Sequence, residues 1–148
     1  MTTAGGIATF NAGTGGVEPH QQDGMTARRS NIAVIPGVPL VLEVDIRALS
    51  ATITGNIGME MEPTRRPRWG FHLFDGATLI GEVIVFWASP QCQSCPTVAS
   101  DLGIKTLAFA TSASTLDLVV SGFHRSSQCA SVVHDLRMDV DYILIRRP

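Results

Sequence analysis

From position 40 onward the chain alternates. Leu40, Leu42, Val44, Ile46 and Ala48 take one side, and Glu43, Asp45 and Arg47 take the other. Successive side chains of a strand point to opposite faces, so this beat predicts a strand with one buried and one wet face. It returns in Leu116, Leu118 and Val120 against Asp117 and Ser121. It appears again in Leu136, Met138, Val140, Tyr142 and Leu144 against Arg137, Asp139 and Asp141. Shorter strands are expected at 51–61, 69–74, 77–87 and 106–111, with Asp75-Gly76 as a hairpin turn between two of them. Helical periodicity is nearly absent; at most one turn fits 97–102. Many short strands with one wet face each predict an all-β fold, an antiparallel β-sandwich.

Composition narrows the partners. With 148 residues the chain makes one domain, and 45% hydrophobic against 16% charged residues excludes a largely disordered one. A net charge of −2 supplies no basic field for nucleic acid or anionic lipid. No apolar run approaches the ~20 residues that cross a bilayer. The opening MTTAGGIATFNAGTGG lacks a basic n-region and an apolar h-region, so no signal peptide is expected. None of the asparagines, at 11, 31 and 56, opens a glycosylation sequon. The expectation is a soluble, unglycosylated protein made in a cytoplasm.

Two regions differ in kind. Residues 1–35 hold Gly5, Gly6, Gly13, Gly15, Gly16 and Gly24, with only scattered apolar residues such as Ile7 and Phe10. No period of 2 or 3.6 runs through them. They are expected as an extended Gly-rich arm that orders on a partner, followed by a sandwich domain at 36–148.

The chemical candidates are few. Cys92 and Cys95 in QCQSCP supply two of the four ligands that a structural zinc needs, and Cys129 with His124 or His134 is no recognisable second pair. A connecting loop is the simplest reading. A disulfide, a metal and a redox pair are the alternatives, and three cysteines leave one thiol over in a monomer. His134 and Asp135 are neighbours on a strand and point to opposite faces, so they form no relay. Gly103-Ile104-Lys105-Thr106 is no phosphate loop. Asp139 and Asp141 share a face at strand spacing and read as solubilising charge on an edge strand. No catalytic set, metal or cofactor is expected. The sharpest local feature is Pro63-Thr64-Arg65-Arg66-Pro67-Arg68-Trp69. Arg65, Arg66, Arg68 and Trp69, together with Ile7 and Phe10 of the arm, are the candidate protein-contact residues, because Arg and Trp anchor interfaces. Trp69 and Trp87 are also candidates for stacking on a sugar ring, although aromatics make up only 6% of the chain.

PGVPLVLEVDIRAL, GFHLFDGATLIGEVIVFW and the closing pair STLDLVVSGF and LRMDVDYILI resemble, in strand order, the jelly-roll sandwiches of galactose-binding-like and carbohydrate-binding modules. The likeness spans about 110 residues of strand order and hydrophobic beat. Jelly rolls also recur as capsid and virion decoration proteins. That resemblance, joined to the arm and the missing catalytic set, implies a non-enzymatic virion protein. Such a chain would be a head-decoration or cement protein of a bacteriophage, bound to the major capsid protein or another virion protein and itself a trimer or dimer. The alternative it implies is a carbohydrate-binding module serving adhesion.

Overall fold

The computed structural model describes residues 2–4, 7–12, 26–54, 68–87, 101–123 and 132–148. Among them lie nine strands: β1 (Thr2–Ala4), β2 (Ile7–Ala12), β3 (Thr26–Ala33), β4 (Leu40–Thr54), β5 (Arg68–Asp75), β6 (Thr78–Phe86), β7 (Gly103–Phe109), β8 (Thr115–Phe123) and β9 (Val132–Arg146). They form two antiparallel sheets, sheet A in the order β1-β2-β9-β4-β7 and sheet B in the order β3-β8-β5-β6. The expected antiparallel β-sandwich is the fold. No helix among the described residues is long and apolar enough to cross a membrane.

The pairings are nested. β5 pairs with β6, β4 with β7, β3 with β8 and β2 with β9, as in one long hairpin bent about Asp75-Gly76 whose successive pairs go to alternate sheets. Gly76 has φ 57°, the left-handed conformation that a tight turn needs and that glycine adopts without steric cost. The inner faces meet in one core: Leu42, Val44, Ile46, Met138 and Val140 from sheet A against Trp69, Phe71, Leu73, Val85 and Val120 from sheet B. Burying each large side chain contributes about 1.5–3 kcal/mol.

The described strands within residues 1–35 differ from the sequence reading. Where an arm without a core of its own was expected, β2 is hydrogen-bonded between β1 and β9, and β3 is hydrogen-bonded to β8. Phe10 is 2% exposed and meets Trp69 edge-on, with ring centroids 6.2 Å apart and planes at 61°. One large side chain on an inner face was enough to seat the strand. Residues 13–25 lie outside the described set.

The alternation also breaks where the sequence suggested continuity. Ile46 pairs with Val140 although Asp45 pairs with Tyr142, and Ala48 pairs with Asp139. Each strand thus carries one extra residue, Asp141 on β9 and Arg47 on β4, and a bulge of this kind shifts the phase of the side chains. Ala48 is therefore exposed while Leu49 packs on the core. Tyr142 and Leu144 point out while Ile143 and Ile145 point in. The two extra residues are each other's partners, since Arg47 Nη2 donates to the Asp141 carboxylate. β9 is an interior strand of sheet A, so the edge position expected for Asp139 and Asp141 does not hold.

Candidate functional site

The outer face of sheet A joins charge, hydroxyl and exposed aliphatic groups. Tyr142 Oη donates to Glu43 Oε1 at 2.8 Å, and Arg146 donates to Glu43 Oε2 from Nε at 3.1 Å and Nη2 at 2.8 Å. Arg137 binds Asp139 through Nε and Nη2, both at 3.1 Å, and Thr9 Oγ1 donates to the same carboxylate at 2.8 Å. Arg47 bridges Asp45 and Asp141. Between these groups stand Leu144, 44% exposed, and Ile104, 58% exposed. Ile7, 37% exposed, lies on the same side as Thr9. A surface of Arg, Tyr and isolated aliphatic side chains, with its carboxylates already neutralised, has the chemistry of a protein contact.

These links tune the acids. Hydrogen bonds from Arg146 and then Tyr142 hold Glu43 below the usual carboxylate range. Burial raises Asp139, but Arg137 and Thr9 outweigh it and leave its pKa lowered. On sheet B, Arg28 and the Asn31 backbone N–H, 2.9 Å from Oδ1, hold Asp117 low. Depressed acids favour the fold above the unfolded carboxylate pKa and lose that contribution as pH falls through their folded values. Glu43 ties β4 to β9, Asp139 ties β9 to β2, and Asp117 ties β8 to β3. The urea midpoint should therefore fall modestly as pH drops below about 4. Tyr142, raised first by its bond to Glu43, favours the fold below its ordinary pKa and loses that contribution at strongly alkaline pH. Urea titrations at a series of pH values test both limbs.

The outer face of sheet B has a different centre. The His72 ring leans over Gly70, where an added Cβ would sit 2.3 Å from Nε2 and 2.7 Å from Cε1. His72 Nδ1 lies 2.9 Å from Glu82 Oε2, and a carboxylate only accepts, so Nδ1 carries the hydrogen. Gly70→Ala would displace a ring that is both buried and tethered. It should destabilise the protein by about 1–3 kcal/mol, read as a lowered urea midpoint.

The residues singled out in the sequence separate. Trp69 is 0% exposed and Phe10 is core, so neither is a contact residue or a glycan platform. Trp69 belongs to the inner parity of β5, one residue from Arg68, which pairs in register with Phe86 and Phe123. Ile7 remains on a surface. Arg65, Arg66, His20, His124 and all three cysteines lie outside the described residues. Among the described residues no cluster of three or more potential metal ligands occurs. An open trough of about 480 Å³ at the short-turn end is lined by Pro36, Gly37, Ala110, Thr111 and Ser112, and holds no titratable side chain.

Sequence reasoning missed the His72–Glu82 pair. A regular hairpin continued from Asp75↔Thr78 would set His72 opposite Gly81, but a register shift between Leu73 and Phe74 inserts Ile80 and brings in Glu82. No known protein-family model, curated protein or solved structure matches the chain.

Proposed function

We propose that this chain is a non-enzymatic structural protein of the virion, a decoration or cement protein that docks on an assembled shell through the outer face of sheet A. The nested strand order carries the reading. Four antiparallel pairs wrapped from one long hairpin support a jelly roll, an architecture that recurs in viral capsid and lectin domains. The choice between those two uses turns on the aromatics. A lectin needs an exposed ring to stack on a sugar; Trp69 is enclosed by the core and Trp87 is half-buried, so neither tryptophan presents a fully open face. The sheet A face instead offers arginines, a tyrosine and exposed aliphatic residues, which suit a protein surface. The contact therefore moves from the N-terminal segment, whose β2 and β3 are paired into the sheets, to a preformed face that loses little entropy on binding.

Purified protein added to shells assembled without it should co-sediment saturably and raise the temperature at which the shells come apart. Leu144→Asp, which places a charge on an exposed position of that face opposite Glu43, should abolish co-sedimentation while the protein stays folded with a slightly lowered melting temperature. Saturable quenching of tryptophan fluorescence by a glycan, with no shell binding, would overturn the reading in favour of the carbohydrate-binding alternative.

A further inference from the structure

One row of side chains crosses all four strands of sheet B on its outer face. Arg28 on β3 pairs with Val119 on β8, Val119 with His72 on β5, and His72 with Glu82 on β6. The row runs from basic at one edge of the sheet, through Val119 and the buried His72, to acidic at the other. Its ends reach solvent, with the Arg28 side chain 58% and the Glu82 side chain 44% exposed. Neither is exhausted by its own neighbour. Arg28 gives Nη2 to Asp117, and a guanidinium has four further N–H donors. Glu82 accepts from His72 at Oε2, which leaves Oε1. Phe74 and Ile84 flank the row, half-buried on the same face.

We infer that the protein forms a two-fold dimer through the outer face of sheet B, with Arg28 of each copy against Glu82 of the other. The charge order selects both the partner and the axis. Face-to-face packing of two copies places the two-fold axis in the plane of the interface. An axis across the strands would set Arg28 on Arg28 and Glu82 on Glu82. An axis along the strands sets β3 over β6 and keeps each row against the same row, so both ends are matched at once. A second copy of this chain is thus a complementary occupant by symmetry alone.

The edges turn association away from themselves. β1 has three residues, and β7 turns Lys105 toward the inner side, where it pairs with Asp101 at 3.8 Å. β3 is interrupted between Arg29 and Ile32 at Asn31, whose φ is 58°. β6 carries the extra Ile80. Short strands, inward charges and bulges all discourage strand addition, which leaves the faces. Four strands about 4.8 Å apart and about 8 residues long present roughly 500 Å² per copy. That is near the lower limit of a specific interface, so micromolar affinity is expected.

The dimer is independent of the shell reading, because it uses the opposite face and is read on the purified chain. Sedimentation velocity should give a mass near twice 15.8 kDa that dissociates on dilution. Arg28→Glu and Glu82→Arg should each raise the dissociation constant at least about tenfold, since either swap sets like charges together twice. Mixing the two variants should restore the dimer, because one copy then carries two acids and the other two bases. That rescue requires both variants to be folded and so separates lost contact from lost structure. A wild-type monomer up to about 100 μM, a trimer, a dimer indifferent to both swaps, or a mixture that stays monomeric would each overturn the inference.

Discussion

Replacing Phe10 with alanine should lower the unfolding free energy by about 3–5 kcal/mol, the usual loss for a phenylalanine removed from a packed core. Phe10 is 2% exposed and packs edge-on against Trp69, so the deletion removes apolar burial and an aromatic contact together. Losing residues 1–12 altogether should be worse. β2 then no longer covers β9, and an interior strand becomes a free edge open to aggregation. Urea unfolding of Phe10→Ala and turbidity of the truncated chain measure the two effects. An unchanged urea midpoint for Phe10→Ala together with no added turbidity for the truncated chain would return the segment to the status of an independent arm and would undo its place in the sandwich.

Trp69→Ala should cost a similar 3–5 kcal/mol, because the indole is wholly enclosed at the centre of the core. Trp69→Phe should cost much less, about 1–2 kcal/mol. The buried indole N–H meets no acceptor among the described residues, so removing it relieves an unsatisfied donor while opening a modest void. The pair of variants separates ring volume from the polar handle. Fluorescence gives a second readout, since loss of Trp69 should remove a blue-shifted component that acrylamide quenches poorly. If Trp69→Ala left stability unchanged and removed a well-quenched, red-shifted component, the ring would be at the surface and the sugar-stacking alternative would regain its platform.

Much of the sandwich was legible because burial on one face imposes a period of two. Residues 40–46, 116–120 and 136–140 show that beat, and each lies on a strand with those side chains inward. What failed was its continuation. Alternation cannot be carried through an extra residue, and the extra Arg47 and Asp141 send Ala48, Tyr142 and Leu144 outward. β2 and β3 were invisible for a related reason. β2 offers a single large inward side chain, and β3 sets Ala27 and Ile32 inward at odd and even positions because its register shifts between them. The two outer faces were less legible still. Glu43, Arg146 and Tyr142 lie about a hundred positions apart or on neighbouring turns of the pattern, and only strand pairing makes them one cluster. Arg68 and Trp69 show the limit of reading composition as surface, since adjacent residues of a strand are assigned to opposite environments.

The wrapped-hairpin order has a bearing on how such a chain reaches its native state. β5 and β6 can close as soon as both exist, but β2 waits for β9 across more than a hundred intervening positions. Maturation is then expected to proceed from the hairpin tip outward, at the millisecond-to-second pace typical of all-β topologies rich in distant pairings. During synthesis the earliest residues emerge long before their mates, with β4 lacking β9 as well. Polar and glycine-rich character in this region, and a single large inward side chain in β2, Phe10, would keep that waiting segment soluble until β9 is made.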